Sequence, residues 1–208
     1  MADKANVVIA KPKDIVGGIY VAPIGSTIPR TYSSTLSSDY KPLGYITEDG
    51  PSRSSENKTD PVKAWGGTKI ASTREGAEAT VSFNAYEYLN PNVQELIYGH
   101  DNITYDAATG ELSINGDMDA IPPHATIVID ILTETAEGRI VYPDWQAKEV
   151  GEIKLSSKEP TQVEFKGDLF KGADGKHFHE YWKNSAASDD SGASFVGFDL
   201  NAPAPSGD

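Results

Sequence analysis

The residues able to do chemistry are few and scattered. His177-Phe178-His179-Glu180 has the one metal-like spacing, since on a strand His177 and His179 share a face while Glu180 points the other way. Two imidazoles make an incomplete zinc site, and no third ligand lies nearby in sequence. Asp117-Met118-Asp119 offers oxygens to a hard cation but lacks the stepped acidic positions and closing glutamate of a calcium loop, so a solvated turn is the simpler reading. Glu134 and Glu137 flank a turn, and nothing marks them as an acid and base facing each other across a cleft. Asn57-Lys58-Thr59 and Asn102-Ile103-Thr104 match the glycosylation triplet, which arises often by chance. There is no nucleophile elbow, phosphate loop or dinucleotide fingerprint. The chain has no cysteine, which excludes disulfides and thiolate chemistry. No set of nucleophile, base and orienting group can be assembled, so the expectation is a protein that is not an enzyme and carries neither cofactor nor metal.

Aromatics are the other candidates. Trp65, Trp145 and Trp182, with ten tyrosines, fit a sugar-binding platform, but aromatics on strands more often serve core or interface. Trp65 beside Gly66-Gly67 and a very polar stretch is the one expected at a subunit contact. The chain has 208 residues, enough for one sizeable domain, and a formal net charge of −13. An acidic protein is a poor nucleic-acid binder, because phosphate contacts need Lys and Arg. No run of about 18 apolar residues is present, and Val7-Val8-Ile9-Ala10 is too short for a signal-peptide core.

The elements that would position these residues are mostly strands. Ala77, Ala79, Val81, Phe83 and Ala85 alternate with polar residues, a period of two that gives a strand one apolar face. Asn90-Pro91 then supplies an N-cap and a proline at the first helical position, with Val93, Leu96 and Ile97 as the packing face and Gly99 as the stop. Ile15–Ala22 is a first strand whose Gly17-Gly18 pair implies a bulge or close backbone approach. Pro23–Lys41 is a loop, and Leu43–Glu48 a second strand. Ser52–Asp60 has no apolar residue and reads as unstructured, within a long loop over 51–73. Glu111–Ile114 belongs to a hairpin between two glycine turns. Ala125–Leu132 is an apolar, central strand paired with Arg139–Tyr142 across Glu137-Gly138. Glu149–Leu155 and Gln162–Phe170 alternate as two more strands, and Phe178–Trp182 is a last strand or a turn. About eight strands and one helix argue a mainly β fold, an antiparallel β-sandwich or barrel flanked by a short α-helix. The domain plan is an N-terminal arm (1–14), a β domain (15–183) carrying the 51–73 loop, and an acidic, low-complexity tail (184–208).

The run from Leu43 to Gly99 also carries a resemblance. Gly44-Tyr45, Glu48-Asp49-Gly50, the polar stretch, Ala64-Trp65-Gly66-Gly67, the alternating strand with Phe83 and Glu87, and Leu96 to Gly99 together resemble the major tail proteins of tailed phages. These are the tail tube subunits of phages with long, non-contractile tails, and the resemblance covers roughly residues 1 to 183. It implies a tail-tube-like fold and a structural subunit in the virion tail, made and assembled in the host cytoplasm. It further implies hexameric rings stacked into a tube around a tape-measure protein and bounded by tail terminator and tail-tip proteins. Genomic DNA would pass through an acidic lumen without specific binding, and no membrane anchor is implied. Ring and subunit contacts are expected at Arg53, Ser54, Ser55, Glu56, Asn57, Lys58 and Thr59, at Trp65, Gly66 and Gly67, and at Val7, Val8 and Ile9. The alternatives are a carbohydrate-binding or adhesive β-sandwich, and the tube protein of a bacterial secretion machine.

Overall fold

The computed structural model describes residues 7–14 and 17–185. Among these, eleven strands, one α-helix and a 3-10 turn at His100–Asn102 follow in chain order. The strands are β1 (Lys11–Pro12), β2 (Ile19–Pro23), β3 (Lys41–Pro42), β4 (Ser52–Lys63) and β5 (Lys69–Ala85), then, after helix α1 (Pro91–Tyr98), β6 (Ile103–Asp106), β7 (Glu111–Ile114), β8 (His124–Leu132), β9 (Ala136–Val150), β10 (Val163–Phe170) and β11 (His179–Asn184). Every pairing is antiparallel. The main sheet runs β3-β2-β8-β9-β10-β5-β4, with β1 added beside β8 and β11 beside β9, while β6 and β7 form a separate hairpin. The fold is mainly β, of the sandwich type expected from the sequence.

The sheet bends over on itself, so that β2 and β8 face β5 and β10 across one core. Ile19, Val21, Ile127 and Ile129 meet Val81, Phe83, Val163 and Phe165 there, around the fully buried Trp145. The Phe83 ring lies 5.7 Å from that of Trp145 and 5.1 Å from that of Phe165, and the indole N–H donates to the Val81 carbonyl at 3.2 Å. Helix α1 closes this core with Val93 and Leu96, and Ile97 packs at its margin. The Asn90 side chain caps the helix by accepting from the Asn92 N–H at 3.0 Å.

Strand β8 is buried on both faces, which is why its sequence does not alternate. Its second face, with Val128 and Val141, is covered by Ile28, Leu36 and Tyr40 of the loop between β2 and β3. On that face Asp130 stands opposite Arg139 of β9. The guanidinium grips the carboxylate with two bonds of 2.6 and 2.7 Å and donates to the Ser34 carbonyl, pinning the covering loop. A carboxylate in an otherwise apolar, doubly buried strand demands such a partner.

Several boundaries differ from the sequence reading. The polar stretch over 51–73 is a β-hairpin, not a loop: β4 pairs with β5 from Ser52↔Ser82 to Lys63↔Lys69. Its order comes from a backbone ladder templated on a well-anchored β5, a term invisible to hydrophobic patterning. Leu43–Glu48 is no strand. Gly44 has φ +80, and only an isolated bridge, Ile46↔Ala85, remains there. The Gly44 backbone lies where a side chain on Gly17 would stand, which is the close approach that the Gly17-Gly18 pair implied. The first strand begins at Ile19, and residues 15 and 16 lie outside the described residues. Arg139–Tyr142 and the start of Glu149–Leu155 are parts of one long β9, and 151–155 is irregular. The turn before β9 is built by Thr133, whose hydroxyl accepts from the Ala136 N–H at 2.7 Å. Gly138 is not a turn residue. It lies flat under the Trp182 indole, where a Cβ would collide.

Candidate assembly surfaces

The root of β5 is built into the body. From Thr80 to Ala85 it is paired on one side with β10, Asp168↔Thr80 to Val163↔Ala85, and Val81, Phe83 and Ala85 are buried. Beyond Thr80 its described pairing is with β4 alone, and the two strands leave the body as an arm. From Ser55 to Trp65 the arm extends roughly 35 Å at about 3.4 Å per residue. All twelve residues of β4 are exposed, and its outer edge carries no described strand, so its N–H and C=O groups face outward along that length.

The arm is held at its root and by cross-strand pairs. Arg53 bonds Glu180 of β11 at 2.7 Å and lies 3.9 Å above the Phe178 ring. Ser54 and Thr80 share a hydroxyl contact of 2.7 Å. Lys58 reaches Glu78 at 2.6 Å, and this contact, chiefly the hydrogen bond, holds the Glu78 carboxyl below its usual range. At the tip, Ala64 and Thr68 close the turn, and Trp65 is fully exposed at 107%. Val62 and Ile70 beside it are also exposed. The tip segment 61–73 contains Lys63 and Lys69 and no carboxylate, in a chain of net charge −13.

Next to the arm's root is a groove of about 520 Å³. Its apolar lining includes Ile46, Ile129, Ile131, Ile140 and Tyr142, and Glu48 and Asp49 stand exposed on its rim. Lys11 also reaches the rim, as does Arg53, already engaged with Glu180. Burial pushes the Tyr142 hydroxyl above the usual phenol range, with Arg53 opposing the shift.

A long edge that no described strand covers, an arm with a basic-apolar tip and a groove with Glu48 and Asp49 on its rim are surfaces suited to contact with other molecules. The sequence matches the model of a family described as phage tail tube protein over residues 1–192. The chain belongs to the phage tail tube protein family. A comparison with curated proteins returns no match. The family gives this tail tube protein a structural role and a place in the virion tail.

The residues singled out from sequence fall into three groups in the tail tube protein. Arg53 through Thr59 lie along β4, and Trp65, Gly66 and Gly67 form the arm's tip. Val7, Val8 and Ile9 precede β1 and are exposed, with Lys11–Pro12 tied to the end of β8. Val93, Leu96 and Ile97 pack into the core, as a supporting helix requires. Most of the acidic tail, from residue 186, lies outside the described residues.

The chemical candidates do not converge. His177 lies before β11, so the shared strand face with His179 does not arise, and His179 contacts Asp174 at 2.9 Å. Among the described residues no group of three or more metal-ligating side chains comes together. Asp117 accepts from the Asp119 N–H in a local turn. The three tryptophans are dispersed: Trp65 at the tip, Trp145 in the core, and Trp182 on β11 with its N–H on Glu180. Sequence reasoning read 62–65 and 68–72 as short extended pieces around Gly66-Gly67 and the alternating strand from Ala77, but missed that they join into one hairpin with 52–60. It also missed the groove, which nothing local marked.

Proposed function

We propose that this protein is the tube subunit of a long, non-contractile phage tail, six copies to a ring, with rings stacked around a tape-measure protein. The observation that carries this reading is the outer edge of β4, beside which no described strand runs, continued into an arm that leaves the body. Such an edge in a soluble monomer is an aggregation liability, and a closed ring removes it by pairing each edge with the next subunit. The arm then reaches beyond the ring's own body to a neighbour. Part of the net charge of −13 would line the lumen, so that DNA slides past without the phosphate contacts that Lys and Arg would make. The N-terminal arm and the acidic tail supply further inter-subunit contacts. The tape-measure, terminator and tail-tip proteins set the length and ends of the tube.

Negative-stain electron microscopy of the purified protein, dilute and concentrated, with light scattering after size exclusion, tests this. Rings and hollow tubes of uniform width are expected. Replacing 59–73 with a two-residue turn should leave a folded monomer that forms no tubes. Solid fibrils in place of hollow tubes would overturn the reading, and tubes indistinguishable from wild type after that replacement would overturn the arm's role in it.

A further inference from the structure

We infer that the arm's tip docks in the groove at the arm root of a second copy, with the Trp65 indole seated among Ile46, Ile129, Ile131 and Ile140. This names the partner surface for the arm and rests on the tube reading. Three observations carry it. Trp65 is fully exposed, so its whole ring surface is available for burial, and Trp is among the residues enriched as interface anchors. The groove's roughly 520 Å³ is ample for an indole, and its floor is apolar and already shielded, with Ile129 and Tyr142 buried. The charges match where Lys63 and Lys69, flanking the indole in a segment without carboxylates, meet Glu48 and Asp49 together on the rim, whose Arg53 is already neutralised by Glu180 and whose other cation is Lys11.

The occupant must be another copy. The groove is lined by residues 51–53, at the arm's root, and Trp65 at the tip lies twelve residues further on from Arg53. A straight hairpin cannot return its tip to its own root. Tip-to-root contact is therefore head-to-tail, the kind that repeats into a ring or an open stack.

The absence of cysteine gives a clean test. Wild-type background carries no thiol, so Thr68→Cys, at the tip beside the intact indole, and Asp49→Cys proteins are made separately, mixed as monomers, concentrated and mildly oxidised. A hetero-disulfide between the two variants in clear excess over either homodimer is expected. Lys63→Glu with Lys69→Glu should suppress it, and Asp49→Lys with Glu48→Lys, paired with that variant, should restore association. Trp65→Ala should weaken association at least about thirtyfold, as loss of a central anchor does. No hetero-disulfide, or one formed instead between Val8→Cys and Asp49→Cys, would overturn the assignment and give the groove to no tip or to the N-terminal arm. Microscopy of the wild type separates the two readings. Tubes without the tip-to-groove disulfide sink the docking alone, and the disulfide without rings or tubes sinks the tube alone.

Discussion

Strand β8 and the arm of β4 and β5 are both regular antiparallel β-structure, yet almost nothing else about them is shared. Seven consecutive residues of β8 are buried, and it touches core on both faces. In β4 all twelve residues are exposed. Ordering a residue's backbone costs roughly 1–2 kcal/mol, which β8 offsets by burial and the arm does not. The arm stands on ladder bonds, a few cross-strand pairs and a root whose conformation the body has fixed. A two-stranded ribbon of that kind is marginal by itself. The difference separates two kinds of structure in one chain: β8 holds the subunit together, and the arm adds almost nothing to its core, as expected of an element that a neighbour completes under the proposed assembly.

The largest effect should come from the polar pair inside the body. Arg139→Met leaves the Asp130 carboxylate and the Ser34 carbonyl without their donor in a buried setting. Breaking such a pair costs about 3–5 kcal/mol, read as a fall in the urea midpoint at unchanged slope. The double variant Arg139→Met with Asp130→Leu should recover most of that loss, because it removes the stranded charge. A double variant as unstable as the single one would mean that the pair's worth lies in positioning the 23–40 loop and not in charge.

The comparison itself is sharpened by one substitution made twice. Ile127→Ala in β8 removes a fully buried side chain and should cost about 2–5 kcal/mol. Ile70→Ala in the arm removes an exposed one and should leave the monomer within about 0.5 kcal/mol of wild type, while impairing assembly. If both destabilise the monomer alike, the arm is folded against its own body and the contrast drawn here is wrong.

This contrast also explains what could be read from the sequence. Where burial decides, patterning was enough: Val81, Phe83 and Ala85, the α1 face with its Asn90 cap, and Val163, Phe165 and Leu169 all stand where alternation or helical spacing put them. Where burial is silent, it failed. Ser52–Asp60 looks disordered by composition and is a strand, because the information that orders it sits in β5, across a turn at Gly66-Gly67. The Thr133 turn was misplaced onto Glu137-Gly138, since a glycine needed under Trp182 is indistinguishable in sequence from one needed for a bend. Trp65, expected at a subunit contact beside a polar stretch, stands exposed at the arm's tip, but the groove draws on residues from near 10, 50, 130 and 140, a convergence that only the topology creates.

The smallest effect lies within the arm's ladder. Glu56 stands directly opposite Glu78, an unfavourable like-charge pair, and Glu78 turns instead to Lys58, which pairs two residues along. The Lys58 contact lowers the Glu78 carboxyl in the folded state, so its stabilisation is present above the carboxylate's ordinary range and is lost as pH falls through the lowered value. Glu78 is fully exposed to solvent and screened, so global stability should not register the change. A carboxyl-carbon NMR titration should find Glu78 below the usual glutamate range, and Lys58→Ala should return it toward that range, with Lys148 left as the remaining cation that lowers it. An unperturbed Glu78 in the wild type would mean that the arm's strands do not hold this register in the free subunit. The ladder would then form only when a neighbour supplies the missing side.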